Sequence, residues 1–310
     1  AGVVQWTANG VAICTATNNQ NYPIIVSDDS GGAIIVWYDL RSGTNYDIYA
    51  QRIDALGAVQ WTVNGVAISA EVDNQYSPTA ISDGFGGAII TWNDLRNGIN
   101  SDIYAQRVNA AGTVQWTANG VAISTPTGDQ QYPTIVSDGL GGAIITWDDL
   151  RSGTDNDIYA QYINGTGIVQ WTSNGVAIST ATNNQTIPTI VSDSLGGAII
   201  TWQDYRSGTD YDIFTQRINS SGLVQWTSNG VAICIEIVDQ QFPAIVSDGT
   251  GGAIITWQDF RNFAYWDIYA QRINGLGVVQ WTVDGVVISA ATDNEQYPSI
   301  VSDGSGGAIV

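Results

Sequence analysis

The 310-residue chain contains no lysine, no histidine and no methionine, and only two cysteines. Without histidine there is no Ser-His-Asp or Cys-His dyad and no imidazole ligand for zinc or iron. Without lysine there is no Schiff-base amine and no phosphate-gripping ammonium. Positive charge is scarce as well: nine arginines face 29 acidic residues, for a net charge of −20. A surface of that sign repels nucleic acid and anionic lipid, so neither is expected as a partner. Long apolar runs are missing too; Ala33–Tyr38 is about the longest, and no membrane insertion is expected. Residues 1–10 carry neither the charged nor the apolar segment of a secretion signal.

What is present is repetition. Gln-Trp recurs at Gln5-Trp6, Gln60-Trp61, Gln115-Trp116, Gln170-Trp171, Gln225-Trp226 and Gln280-Trp281, always 55 residues apart. Gly-Gly keeps the same step from Gly31-Gly32 to Gly306-Gly307, and so do six of the seven prolines. A fixed period of this size means that each unit is one supersecondary block.

Every block reads as β. In residues 131–185, Pro133–Ser137 is a short β-branched run opened by proline. Asp138–Gly142 is a glycine turn, and Ala143–Trp147 is apolar enough for burial on both faces. Asp149–Asn156 is polar loop, and Asp157–Asn164 alternates as a strand does. Ile168–Trp171 with Gly175–Ser179 makes a fourth, bent strand, in which Thr172–Gly175 is either a bulge or a turn. Four antiparallel strands in 55 residues are the size of a β-propeller blade, with Trp147 and Trp171 packing between neighbouring blades.

The expected fold is therefore all-β, one propeller of blades 21–75, 76–130, 131–185, 186–240 and 241–295, with a sixth blade shared between the ends. Residues 296–310 match the first two strands of a blade, and residues 1–20 match the outer strand that would close it. The third strand of that sixth blade is missing. Either the outer strand moves inward, another chain donates a strand, or the array continues.

The whole chain resembles secreted bacterial and archaeal β-propeller repeat proteins with blades of the GGAIITW type, here Gly141–Trp147. Ser137–Gly142 with Trp147 is also faintly similar to the Asp-box of sialidase-like propellers. Ser and Asp are adjacent and Trp comes too late, so no sialidase residue is carried over. Either resemblance implies a structural turn capped by the Asp carboxylate.

Between the second and third strands an Asp, Arg, Asp trio recurs: Asp39/Arg41/Asp47, Asp94/Arg96/Asp102, Asp149/Arg151/Asp157, Asp204/Arg206/Asp212 and Asp259/Arg261/Asp267. One guanidinium between two carboxylates suits a salt bridge that pins the loop. The alternative is a Ca²⁺ site where extra acids gather, at Asp148, Asp155 and Asp157 or at Asp210 and Asp212; no other cofactor is implied. Symmetry breaks most clearly in the fifth unit. Phe260, Phe263, Tyr265 and Trp266 stand in one loop, and Ile235, Ile237 and Val238 in the loop before it. The two loops lie on one face of a blade, so they are expected to form an apolar patch that meets a partner protein. Cys14 and Cys234 occupy one slot four units apart, too far for a disulfide, and are expected as free thiols. Asn164, Asn184 and Asn219 head glycosylation sequons of use to a secreted chain.

These features predict a non-enzymatic, extracellular or cell-surface module, structural or adhesive. It would associate with itself through the incomplete blade, or with another surface protein. A multivalent glycan-binding propeller is the alternative. A glycoside hydrolase ranks last, because near-identical units offer no single asymmetric site.

Overall fold

A computed structural model describes residues 6–310. In the first repeat, strands β1 (Gln20–Ser27), β2 (Ala33–Asp39), β3 (Asp47–Ile53) and β4 (Val66–Ser69) follow one another in an antiparallel sheet of the same order. The same four-stranded sheet forms five times, and a two-stranded one, Val301–Ser302 with Ala308–Ile309, follows. The fourth strand is short because the chain turns before it. In the first repeat the Gly65 N–H closes the turn on the Thr62 carbonyl, and only a single bridge, Ile53 to Val59, precedes it. The segment equivalent to Thr172–Gly175 is thus a turn.

Six blades are not built. The last sheet has two strands, and no strand forms in residues 6–19, so the expected closing strand is absent there. Residues 1–5 of that segment lie outside the described residues. Five blades are complete.

The second strand explains the repeat. Its run of Ile and Trp is buried on both faces, as a central strand between two neighbours requires: Ala88–Asp94 is buried throughout. Cα proximity divides the chain into two compact units, Ala1–Ala143 with Ile163–Asn174 and Ile144–Tyr162 with Gly175–Val310. In the first unit, Ile34, Ile48 and Trp61 of one repeat pack with Ala88, Ile90 and Trp92 of the next. Trp61 Nε1 donates to the Ala110 carbonyl at 3.0 Å, and Asn119 Oδ1 accepts from Ala70 N at 3.2 Å, so polar clasps flank the apolar seam. The second unit repeats this: Ile213 and Ile233 pack with Ile255 and Trp257, Trp226 Nε1 donates to the Gly275 carbonyl, and Ile235 N donates to Asp284 Oδ1.

Glycine is obligatory where Trp packs against the turn. Gly120 has φ +93°, and a Cβ there would stand 2.5 Å from Trp92 Cη2. Gly120→Ala is expected to cost about 2–4 kcal/mol in urea unfolding, from the left-handed backbone and the clash together.

Each first strand carries a bulge before its proline. The register slips between Asn21 and Ile24, and Tyr22, Ser77, Tyr132, Ile187, Phe242 and Tyr297 all have positive φ, between 48° and 55°. The bulge turns a backbone N–H out of the ladder and needs an acceptor for it.

Candidate active site

The recurring trio divides its labour differently from the expectation. Its two aspartates stand opposite each other, as Asp94 and Asp102 do in register, but the arginine binds only the first. Arg96 Nε and Nη2 lie 2.8 and 2.5 Å from the two Asp94 oxygens, while Trp92 Nε1 donates to Oδ2 at 2.7 Å. The guanidinium stacks on Tyr104 at 3.7 Å and donates onward to the Asn119 carbonyl, in the turn before the fourth strand of the same repeat. All five trio arginines pair with the first aspartate and lie over an aromatic ring. A second row, Arg52–Asp28, Arg107–Asp83, Arg217–Asp193 and Arg272–Asp248, went unread, although its 24-residue spacing was available as a signal.

Of the second aspartates, Asp47, Asp102 and Asp267 accept from asparagine amides, whereas Asp157 and Asp212 lie in the field of Asp155 and Asp210. Burial, with the neighbouring carboxylate Asp39 adding to it, pushes Asp47 up to about 6. Asp102 and Asp157 likewise rise to about 6 and Asp212 to about 7, burial again leading. Asp267 is raised for the same reason.

The Ca²⁺ candidates do not converge. Asp148 is buried and Asp157 nearly so, whereas Asp155 caps its own loop through Ser152 and Thr154. Asp210 is held by Ser207, Thr209 and the Val238 N–H, which outweigh its burial and lower its pKa. Among the described residues no group of three or more acids or cysteines is arranged to hold a metal ion.

Asp148 stands out for another reason. It is the penultimate residue of the third repeat's second strand (Ala143–Asp149), where the other repeats have Tyr38, Asn93, Gln203 and Gln258. The residue here serves the bulge of the following repeat. Gln203 Oε1 accepts from Phe242 N, Gln258 Oε1 from Tyr297 N, and Asp148 Oδ1 from Ile187 N at 3.1 Å. An amide meets this need without charge. A carboxyl 3% exposed does so at a cost, and burial, reinforced by Asp149, drives its pKa well above the carboxylate range despite the Ile187 bond. The phenol of Tyr211 lies in its field, raised by burial and by Asp239, Tyr205 and Asp148. The Tyr211 ring packs on Tyr205 at 4.9 Å, and its N–H donates to Asp239 Oδ1 at 3.0 Å. The Tyr211 phenol thus lies in the field of both Asp148 and Asp239 within the second unit. Of these, only Asp148 was singled out from sequence, and for a different role.

The fifth-repeat loops do lie side by side. Phe260 N donates to the Asp239 carbonyl at 3.0 Å, and Arg261 Nη2 to Cys234 Sγ at 3.2 Å. The Phe260 and Trp266 rings pack at a tilt, 5.1 Å apart, and are half-buried, while Ile235, Ile237, Phe263 and Tyr265 are exposed. Val238 has φ 107° and Phe263 φ 58°, at positions where the other repeats place Asn, Asp or Gly. Both cysteines are free, Cys234 buried and Cys14 half-buried. Among the described residues no helix is long and apolar enough to cross a membrane.

No family model matches the chain, and no curated protein matches it in sequence. Solved structures do match. A Dyadobacter fermentans protein of unknown function is similar at TM-score 0.53 and 10% identity, over 94% of this chain and 90% of that one. A Penicillium chrysogenum α-L-arabinanase complexed with arabinobiose is similar at TM-score 0.53 and 13% identity, over 96% and 89%. A Fusarium graminearum GH93 α-L-arabinofuranosidase, also complexed with arabinobiose, is similar at 0.50 and 12%, over 90% and 83%. The likeness is one of fold, and repeated four-stranded antiparallel sheets are consistent with a β-propeller. It overturns the expectation of a non-enzymatic structural, adhesive or filament-forming module, because this construction is one that glycoside hydrolases use.

Proposed function

We propose that the chain hydrolyses glycosidic bonds in arabinose-containing oligosaccharides, with Asp148 as proton donor and Asp239 as the carboxylate working opposite it. Glycoside hydrolysis needs two carboxyl groups in different protonation states, one to protonate the leaving oxygen and one to supply negative charge or a base. The single observation that carries this reading is the buried Asp148 carboxyl at a position that four repeats fill with uncharged side chains. Burial raises its pKa well above the carboxylate range, the direction that a general acid requires. The Tyr211 phenol lies within the field of both carboxyls. The substrate class rests on the two fold relatives that hold arabinobiose.

The test is release of reducing sugar from arabinobiose and longer arabino-oligosaccharides by the whole chain, compared with Asp148→Asn. Asparagine occupies the equivalent slot in the second repeat, so the variant is expected to fold unchanged while the rate falls about a hundredfold or more. Absence of hydrolysis by the wild-type chain between pH 4 and 8, or equal rates for the two proteins, would overturn the reading.

A further inference from the structure

We propose that the fifth repeat holds a Ca²⁺ ion between Asp267, Glu295 and the carbonyls of the loop that leads to Glu295. The second repeat defines what belongs in this place. There, Asn100 Nδ2 donates to Asp102 Oδ1 at 3.1 Å and to the carbonyls of Pro126 and Gly128 at 3.2 and 2.7 Å. Gln130 Nε2 donates to the same Gly128 carbonyl at 2.7 Å. Two side-chain amides thus supply the hydrogens for a nest made otherwise of acceptors. The first repeat is built alike: Asn45 serves Asp47 and the carbonyls of Glu71 and Asp73, and Gln75 serves Val72 and Asp73.

In the fifth repeat both donors are gone. Tyr265 stands in place of Asn100, and Glu295 in place of Gln130. No strand begins at Glu295 as one does at Gln130, but the local backbone contact is kept, since Glu295 N donates to the Trp266 carbonyl at 2.8 Å as Gln130 N does to that of Ser101. Trp266 N likewise donates to Asn294 Oδ1, as Ser101 N does to Asp129 Oδ1. The acceptors therefore stay in position while their hydrogens are missing. Asp267 keeps the Asn262 amide on Oδ2 at 2.7 Å, but its Oδ1 is buried without a partner, and the residue is 3% exposed. Glu295 accepts from Ser289 on Oε1; its Oε2 is buried without a partner, as Oε1 is in Gln130, Gln185 and Gln240, so the orphan that sets this repeat apart is Asp267 Oδ1. The two carboxyls feel each other's charge. By position, the carbonyls of Ala291 and Asp293 match those of Pro126 and Gly128.

Replacing two neutral donors by one acceptor and one phenol calls for positive charge. Oxygen-only ligands from two carboxylates, carbonyls and water suit Ca²⁺, whose flexible coordination tolerates an irregular set better than Mg²⁺ does. A cavity beside Glu295 and Ser289, also lined by Ile268 and Pro298, leaves room for the remaining waters. With two carboxylates the affinity belongs to the weak class, a Kd of about 10⁻⁴ to 10⁻³ M.

Calorimetric titration of the whole chain with CaCl₂, and its melting in Ca²⁺ against EDTA, test the site. The wild type is expected to bind and to melt several degrees higher in Ca²⁺, and Mg²⁺ to be the weaker ligand. Glu295→Gln restores the residue of the other repeats, so it is expected to fold and to lose at least tenfold in Ca²⁺ affinity; Tyr265→Asn is expected to weaken it too. No binding by the wild type up to about 10 mM, beyond the weak class above, would overturn the proposal in favour of a proton shared by the two carboxyls. Equal Ca²⁺ responses in wild type and Glu295→Gln would overturn it as well, by placing the ion elsewhere.

Discussion

Asp94→Ala is expected to destabilise the protein by about 3–5 kcal/mol, the range for removing one partner of a buried ion pair. Asp94 has no exposed surface, and its two oxygens receive the Trp92 indole, the Arg96 N–H and two guanidinium hydrogens. Without it the indole N–H of a fully buried Trp loses its acceptor. Arg96, only 18% exposed at its side chain, remains stacked on Tyr104 with its charge uncompensated. The loss also loosens the loop's link to Asn119, whose Oδ1 accepts from Ala70 N of the preceding repeat, so the damage reaches that neighbour. Asp94→Asn keeps an oxygen for the indole and is expected to lose about half as much. Urea unfolding measures both; a fall below about 1 kcal/mol for Asp94→Ala would mean that water replaces the carboxylate at once.

The second large effect is stabilisation by acid. Asp47, Asp102 and Asp157 titrate near 6 in the folded chain and Asp212 near 7, against an ordinary 3.8. The folded state therefore binds more protons than the unfolded one between about pH 4 and 7, and stability falls as pH rises through that window. Two pKa units are nominally about 3 kcal/mol per group, but water reaches these loops from one side, and about 1 kcal/mol each is the better expectation. With four such groups, melting at pH 5.0 should exceed that at pH 7.5 by on the order of 5 °C. Asp267 and Asp148 act in the same direction. At the acid end Asp28, Asp39 and Asp248 reverse the trend. Burial raises each of them, but arginine and backbone donors outweigh it, so their stabilising charge is lost as pH falls below the ordinary carboxylate range. A dome centred near pH 4–5 is the expected profile. A monotonic rise in melting temperature from pH 4 to 8 would show that the trio's second aspartates are ionised and solvated.

Strand order and blade size were legible because they depend on local periodicity alone. The Ile-Ile-Thr-Trp run has to be a central strand, and a glycine turn on each side confines it to seven residues. The adjacency of the fifth-repeat loops was legible for the same reason, since which face a hairpin loop occupies follows from strand count. Closure was not. Whether residues 6–19 form a strand depends on a partner edge, which periodicity does not describe. The pairing of arginines was half legible. Spacing brought three charged residues into one loop, but the choice of Asp94 over Asp102 follows from the Trp92 indole, which orients Asp94 towards the guanidinium.

Composition and the 55-residue period by themselves determined an all-β chain of repeated four-stranded sheets without imidazole or amine chemistry, because backbone pairing and burial patterns are local and additive. Only the tertiary structure decided what the departures from the repeat mean. Asp148 and Glu295 each differ from their counterparts by a single side chain, and in sequence both are merely two more acids among 29. Asp148 becomes distinctive once the N–H that its counterparts satisfy is seen to come from the following repeat, and Glu295 once the amides that serve this loop elsewhere are seen to be missing beside the buried, unpartnered Asp267 Oδ1.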